Sequence, residues 1–231
     1  MSGIAQNLQA VQNVIAAATH AAARDPAAVR LLAVSKTFGP EAVMAAAQAG
    51  QTAFGENYLQ EALDKMAAVH AVRPELGLEW HFIGPIQSNK TRPIAERFDW
   101  VHSIEREKIA QRLSQQRPAH LPPLNVCLQV NISGEASKSG ATPEELPALA
   151  QAVAGMPHLR LRGLMAIPEA AGTFEQQRLP FRQLRQLLEQ LNTQGLALDT
   201  LSIGMSADMA AAIAEGATIV RVGSAIFGKR D

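Results

Sequence analysis

The sequence predicts a single (β/α)8, or TIM, barrel, in which parallel strands alternate with helices. Two observations predict this α/β fold. About eight short apolar runs typical of buried strands follow one another, and helix-like segments separate nearly all of them. The length of 231 residues is normal for one barrel, so residues 1–231 are predicted to form one domain. An open doubly wound sheet is the alternative, but it needs a topological switch point and usually has fewer strands.

The N-terminal half is predicted to contain an extra helix and then strand–helix units. Apolar residues at helical spacing predict an amphipathic helix near residues 3–23. The first strand is an apolar run that ends in Lys36 and meets the Gly39–Pro40 turn, and Gly50 ends the alanine-rich helix after it. In order, the predicted units are strand 31–36 with helix 41–49, strand 52–57 with helix 58–69, strand 79–84 with helix 89–98, and strand 100–104 with helix 106–116.

The C-terminal half begins after a proline-rich break at residues 118–123. A polar loop at residues 133–142 precedes Pro143, which is predicted to open a helix at the first-turn position where proline is tolerated. The predicted units here are strand 124–131 with helix 143–154, strand 159–167 with helix 174–192, strand 200–204 with helix 207–214, and strand 218–222 with a last turn.

Composition and charge exclude several classes of protein. Apolar residues make up 47% and charged residues 18%, which provides a core and no disorder signature. Because Lys+Arg and Asp+Glu balance at 21 each, no long-range field favours nucleic acid or an anionic membrane. No signal peptide or membrane span is predicted, and the single cysteine, Cys127, suits a reducing compartment. The expected location is the cytoplasm.

The side-chain period of a strand predicts which residues face the inside of the barrel. If Lys36 points inward, Leu32 on the same strand does so too. On the fifth strand Cys127, Gln129 and Asn131 share one face, and apolar residues share the other. Polar residues inside a barrel near the carboxyl ends of its strands usually line a site.

The loops after the seventh and eighth strands predict an anion site. Ser206 follows Gly204 just before a helix and is predicted to be its N-cap, so the amides beyond it would favour an anion. Gly223 and Ser224 form a second such turn, and barrels commonly bind phosphate with these two loops. The alternative is that Ser206 only caps a helix and Gly223 only makes a turn.

Arg221 is predicted to point into the barrel, where its charge needs an acceptor from a core partner or a ligand. A lysine amine, a phosphate site and an inward arginine on one rim fit pyridoxal 5′-phosphate, whose aldehyde condenses with an amine. The histidines show no metal-ligand spacing, and His81, within a strand, is typical of a hydrogen-bonded core residue.

Several motifs resemble the YggS/PROSC family, the pyridoxal-phosphate homeostasis proteins, over essentially the whole chain. They are Ala33-Val34-Ser35-Lys36-Thr37, Phe54-Gly55-Glu56-Asn57-Tyr58, Trp80-His81-Phe82-Ile83-Gly84 with Gln87-Ser88-Asn89-Lys90, Gly163-Leu164-Met165, and Ile203-Gly204-Met205-Ser206 with Val220-Arg221-Val222-Gly223. The resemblance implies a barrel similar to the N-terminal domain of alanine racemase.

By this resemblance, Lys36 forms a covalent internal aldimine with pyridoxal 5′-phosphate and Arg221 faces the ring nitrogen. The remaining implied contacts are to the phosphate, from Ser206, Gly223 and Ser224, and around the ring, from Asn57, His81 and Met165.

A cofactor-binding role without catalysis is the main functional expectation. Alanine racemases use two bases, of which the second is a tyrosine from an additional domain of the partner subunit. The sequence ends soon after the eighth predicted strand, and its only tyrosine is Tyr58. Arg221 would also disfavour protonation of the ring nitrogen and so weaken the electron sink. The alternatives are a slow amino-acid racemase of the same fold and a Schiff-base aldolase without a cofactor.

The expected partners are pyridoxal 5′-phosphate, other B6 vitamers and, transiently, apo-enzymes that use the cofactor. A monomer is favoured, because the racemase dimer contacts would be lost together with the additional domain. Lys90 and Lys138 lie in polar loops and are interpreted as an anion path or a second cofactor contact used in hand-over.

Overall fold

A closed barrel of eight parallel strands forms the centre of the molecule, as the sequence predicts. The computed structural model describes residues 3–134 and 139–228. Each strand pairs with its neighbour in chain order, and β8 pairs with β1 to close the sheet. The strands are β1 (Arg30–Val34), β2 (Ala53–Glu56), β3 (Glu79–Phe82), β4 (Trp100–Ile104), β5 (Leu124–Gln129), β6 (Leu159–Met165), β7 (Thr200–Ser202) and β8 (Ile219–Val222).

Helices surround the barrel. They are α1 (Gly3–Ala21), α2 (Pro40–Gln48), α3 (Leu59–Val72), α4 (Thr91–Arg97), α5 (Glu107–Gln116), α6 (Leu146–Ala154), α7 (Phe174–Thr193), α8 (Met209–Ala214) and α9 (Ser224–Phe227), with 3-10 turns at Pro26–Ala28 and Ser88–Lys90. The predicted extra helix, α1, packs against α2, α8 and α9. Because α9 has only four residues, α1 completes the outer layer where a longer eighth helix would lie.

Alternation along the strands divides the core into two layers. Val126 and Leu128 of β5 face outward and pack under the helices, whereas Cys127 faces the barrel interior. The apolar part of the interior consists of Leu32, Ala53, Trp100, Cys127, Met165 and Ile219. The predicted inward orientation of Leu32 and Cys127 is therefore confirmed.

Barrel closure brings the two ends of the sequence together. In the β1–β8 pairing, Leu32 lies beside Arg221 and Ala33 lies beside Val222. The loop that follows β1 and the loop that follows β8 are consequently neighbours at the carboxyl end of the barrel. This pairing puts Lys36 and Gly223, far apart in sequence, on the same part of the rim.

Several predicted boundaries are wrong by a few residues, and three of them affect residues named above. The first strand ends at Val34, so Lys36 lies in the turn after it, where Thr37 has a left-handed φ of 68°. Helix α6 begins at Leu146, and Pro147 takes the first-turn position predicted for Pro143. Helix α8 begins at Met209 with Asp208 as its N-cap residue, so Ser206 is not the N-cap. Local sequence determines such ends poorly, because tertiary contacts compete with propensity there.

Candidate functional site

Lys36 lies at the carboxyl end of the barrel, half-buried in the turn between β1 and α2. The ladder continues one step past β1, because the amide of Ser35 donates to Gly55 O at 3.0 Å. The chain then turns back, with the Phe38 amide donating to Ser35 O at 3.1 Å. Lys36 is therefore presented from a short turn that is hydrogen-bonded on both sides.

A buried ionic network supports this turn from the helix side of the sheet. Lys65 of α3 is 3% exposed, and its ammonium group contacts Glu56 Oε1 at 2.6 Å and Ser35 O at 2.8 Å. The Ser35 hydroxyl donates to the same carboxylate oxygen at 2.6 Å. Burial raises the pKa of Glu56, and the hydrogen bond and charge of Lys65 oppose that increase. The network ties the residue before Lys36 to both β2 and α3.

A second carboxylate extends the network to the residue after Lys36. Glu61 Oε1 accepts a 3.0 Å hydrogen bond from Lys65 Nζ and a 2.6 Å hydrogen bond from the Thr37 amide. The three donors of the Lys65 ammonium group are thus all used. Sequence reasoning missed this role of Lys65. The available signal was a charged residue at helical spacing with buried Ala62 and Val69 on the apolar face of α3.

Arg221 of β8 points into the barrel, as predicted, and is 4% exposed. Its Nη1 donates to Ser202 O and, at 2.9 Å, to Ser202 Oγ, and its Nη2 donates to Ala166 O at 3.0 Å. Burial lowers the pKa of Arg221 to about 10, which leaves it a cation at neutral pH. Among the described residues no carboxylate forms an ion pair with it, and the core partners that accept from it are neutral oxygens.

The loops after β7 and β8 approach each other and the end of β1. The Arg221 amide donates to Gly204 O at 2.9 Å, which joins the start of the β7 loop to strand β8. A Cβ atom at Gly223 would lie 3.1 Å from Val34 O, so this glycine permits the β8 loop to pass close to the Lys36 turn. Ser206 and Ser224 have exposed side chains beyond these two strands. The predicted phosphate residues therefore share one side of the rim with Lys36.

Gly204 provides a first testable consequence. It has φ +92°, and a Cβ atom there would lie 2.6 Å from the Ala212 methyl group. We expect Gly204→Ala to destabilise the protein by about 1–3 kcal/mol, the usual cost of a non-glycine residue in a strained backbone conformation. Chemical denaturation measures the loss, with Gly77→Ala, which has no heavy atom within 4 Å of the added Cβ, as control. Equal stabilities of the two variants would contradict the expectation.

A cavity of about 320 Å³ opens on the other side of the rim. Its walls come from the carboxyl ends of β2 to β6 and from the loop after β5; they are Asn57, Ile83, Pro85, Ser103, Glu105, Gln129, Ser139 and Ile167. Asn57, a predicted ring contact, is half-buried here. Its Oδ1 atom is buried without a hydrogen-bond partner in the part of the chain that the structure describes. Such an atom indicates a position where a ligand donor would be favoured.

The two other predicted ring contacts lie deeper. Met165 ends β6 and is fully buried in the apolar interior cluster. His81 is also fully buried, and its ring stacks on Trp100 with 5.3 Å between centroids. Both nitrogens of His81 contact protein groups, Glu79 at 2.5 Å and His102 at 2.8 Å. This geometry matches the core histidine expected from its strand position, and a ring contact by His81 stays a prediction.

The structure also adds two interior polar residues that sequence reasoning did not select as site residues. His102 of β4 and Ser202 of β7 are fully buried and lie between His81 and Arg221. A signal was present in the strand alternation, because His102 shares the inward face with Trp100. Ser202 had no distinguishing signal within its short strand.

The two lysines proposed for hand-over differ in outcome. Lys90 is exposed and ends the 3-10 turn before α4. Lys138 lies outside the described residues. Within residues 3–134 and 139–228, no cluster of metal-ligating side chains occurs, and none of the helices has an apolar stretch of the length that spanning a bilayer requires.

The donor set on this rim fits pyridoxal 5′-phosphate. Lys36 supplies a primary amine, and the glycine turns at 204 and 223, with exposed hydroxyls at Ser206 and Ser224, suit a phosphate. Three of the five N–H donors of Arg221 are used by protein oxygens, which leaves donors for a ring acceptor.

Comparisons with known proteins identify the family and agree with the barrel fold. The family described as "Alanine racemase, N-terminal domain" matches residues 5–231. A pyridoxal phosphate homeostasis protein of Pseudomonas aeruginosa is 64% identical over 231 residues, covering 100% of this chain and 97% of that protein. The protein of the same name from Escherichia coli K12 is 54% identical, covering 100% and 98%.

A solved structure is also similar. PipY of Synechococcus elongatus PCC7942, determined with PLP bound, superposes with a TM-score of 0.84 at 35% sequence identity. The match covers 97% of this chain and 100% of PipY. The barrel is therefore shared along the full length of that protein.

Proposed function

The chain belongs to the alanine racemase N-terminal domain family and, within it, to the pyridoxal phosphate homeostasis proteins, and from this premise we propose that it holds pyridoxal 5′-phosphate reversibly for intracellular supply. The observation that carries the proposal is barrel closure. Pairing of β1 with β8 supports it, because that pairing brings the turn that contains Lys36 close to the Gly223 turn and to the strand that contains Arg221.

Each residue has a stated task in this proposal. The cofactor, when bound, supplies an aldehyde that condenses with the Lys36 amine to a Schiff base, with release of water. The turns at Gly204 and Gly223, with Ser206 and Ser224, hold the phosphate. Asn57 and Met165 lie around the ring.

Arg221 makes the site better suited to holding than to carbanion chemistry. A buried cation beside a pyridine nitrogen disfavours protonation of that nitrogen, and an unprotonated ring withdraws electrons less strongly. The only tyrosine, Tyr58, is 53% exposed to solvent. It is the N-cap residue of α3, and its side chain makes no capping hydrogen bond to that helix. These features support a carrier whose effects on amino-acid metabolism are indirect.

An isotope-exchange experiment tests the carrier against the slow racemase. The cofactor-loaded protein is incubated with L-amino acids in deuterated water, and Cα deuteration is followed by NMR. We expect exchange no faster than with free cofactor plus the Lys36→Ala variant. Steady exchange at ordinary enzymatic turnover, about 1 s⁻¹ or faster, would establish catalysis and overturn the proposal.

We further propose that apo-enzymes receive the cofactor transiently and that other B6 vitamers also bind. The protein is proposed to be a monomer located in the cytoplasm. Lys90, exposed beside the loop after β3, is the candidate for guiding the anionic cofactor during hand-over. Transfer rates to an apo-enzyme that are the same for Lys90→Ala and the unchanged protein would remove that role.

A further inference from the structure

A continuous chain of hydrogen bonds crosses the barrel interior and ends at Arg221. It starts at Glu79, the first residue of β3, and passes through β3, β4 and β7. The successive distances are 2.5 Å from Glu79 Oε1 to His81 Nε2, 2.8 Å from His81 Nδ1 to His102 Nε2, 2.7 Å from His102 Nδ1 to Ser202 Oγ, and 2.9 Å from Ser202 Oγ to Arg221 Nη1. We call these five residues the interior relay.

Water has little access to the middle of the interior relay. His81, His102 and Ser202 have no exposed surface, and Trp100 stacks on the His81 ring with an interplanar angle of 5°. Only the Glu79 end approaches solvent, with a side chain 30% exposed and an ion pair to Arg30 at 2.7 Å. The order of hydrogens along the relay is therefore decided by the protein groups themselves.

Glu79 directs the hydrogens of the relay from its solvent end, and Arg221, which can only donate, is compatible with the same order at the other end. Burial lowers the pKa of both histidines, so each ring is neutral and has one donor and one acceptor nitrogen. Burial pushes the pKa of Glu79 up, but His81 and Arg30 outweigh it and keep the group a carboxylate. A carboxylate only accepts, so His81 Nε2 must carry the hydrogen.

The remaining hydrogens follow from that first one. With Nε2–H of His81 committed to Glu79, its Nδ1 accepts from His102 Nε2–H. The Nδ1 atom of His102 then accepts from the Ser202 hydroxyl, whose own oxygen is left with lone pairs for the Arg221 guanidinium. The reverse order would put a lone pair of His81 Nε2 against a carboxylate oxygen at 2.5 Å, which is repulsive.

We propose that Glu79, His81, His102 and Ser202 are positioning residues that orient the Arg221 guanidinium from the opposite end of the barrel. The inference rests on the proposed function for the identity of the ligand that Arg221 meets. Ser202 holds one edge of the guanidinium through Oγ and the backbone oxygen, while Ala166 O holds the other nitrogen. The relay thereby decides which N–H groups of Arg221 remain for a ring acceptor.

NMR of the cofactor-free full chain tests the relay without any ligand. Ring ¹⁵N shifts report which nitrogen of each histidine carries hydrogen, and the Arg221 Nε resonance reports the guanidinium environment. We expect the Nε2–H form for both His81 and His102. Detection of the Nδ1–H form of His102 in the unchanged protein would overturn the proposal.

Two substitutions test the direction of the relay. Glu79→Leu removes the group that orders the hydrogens, so it should change the His102 tautomer and shift the Arg221 resonance. Ser202→Ala removes the hydroxyl that joins His102 to Arg221 but leaves the contacts between Glu79, His81 and His102, so it should shift Arg221 while both histidines keep the Nε2–H form. A merely structural role predicts no such asymmetry, and unchanged spectra in both variants would contradict the inference.

Matched variants control for the change at the barrel end. Asp199→Leu removes a carboxylate at the same end, paired with Arg162 at 2.8 Å, and should leave the relay resonances in place. Glu79→Gln keeps an acceptor oxygen and should restore the tautomers lost in Glu79→Leu. An Asp199→Leu spectrum that matches Glu79→Leu would overturn the assignment.

Cofactor affinity is the second readout. We expect Glu79→Leu to weaken pyridoxal 5′-phosphate binding about tenfold relative to Asp199→Leu, the scale of losing an orienting contact behind a ligand-binding group. Equal affinities of these two variants would count against the relay. Failure of the unchanged protein to bind the cofactor would overturn the proposed function alone, because the NMR readout needs no ligand.

Discussion

We expect the replacement of Lys36 with alanine to abolish the visible colour of the cofactor-loaded protein and all borohydride-stable incorporation of cofactor. This is the largest effect that we expect from a single substitution. An imine needs a primary amine, and Lys36 is the lysine in the turn after β1, the strand whose end lies close to the Gly223 turn. Absorbance spectra, borohydride reduction and peptide mapping measure the result directly.

The control for Lys36→Ala is Lys90→Ala, which removes another lysine from the same end of the barrel. Lys90 is exposed on the 3-10 turn before α4, so its loss should leave colour and incorporation intact. Retained colour in Lys36→Ala would show that a different amine forms the bond. An unchanged protein that stays colourless after cofactor addition would exclude both the carrier and the racemase and favour the aldolase alternative.

We expect the replacement of Lys65 with methionine to destabilise the protein by about 3–5 kcal/mol, the usual cost of removing one partner from a buried ion pair. The Lys65 side chain is 2% exposed, and it contacts Glu56, which is fully buried, at 2.6 Å. Without the ammonium group, Glu56 loses its cation and Ser35 O loses a donor. Urea denaturation with a comparison of midpoints and slopes measures the loss.

Two further variants separate the buried charge from general packing. Lys65→Met combined with Glu56→Gln removes both charges, so it should recover part of the lost stability. Arg92→Met removes an exposed i,i+4 contact to Glu96 at 3.9 Å, so its effect should stay within about 0.5 kcal/mol. A Lys65→Met protein as stable as Arg92→Met would mean that the network contributes nothing.

The architecture was predictable because each element leaves a local pattern. Apolar runs separated by helix-like segments predicted the barrel, and α1 and β4 lie close to the predicted residues. Strand alternation correctly placed Leu32, Cys127 and Arg221 inside. The errors lie at element ends, as at Ser206. There the Asp208 carboxylate accepts a 2.6 Å hydrogen bond from the Met205 amide, and the six-residue helix α8 starts at the next residue, Met209.

The support behind the rim was less predictable. Glu56 and Lys65 were visible as charged residues in apolar segments, but their partnership depends on how α3 packs against β2. The interior relay depends on β3, β4, β7 and β8 each turning one polar residue inward at compatible heights. No periodicity within one strand carries that information.

The linear sequence was sufficient for the fold class and the inward faces of strands, and it selected Lys36, Gly223 and Arg221 as candidates, because these follow from local periodicity and from family motifs. Only the folded barrel decided that Lys65 is hydrogen-bonded to the Lys36 turn and that Arg221 is hydrogen-bonded to Ser202, which in turn contacts His102. The physical reason is closure. Residues separated by most of the chain become neighbours when β8 pairs with β1, and buried polar groups then select partners by distance and desolvation.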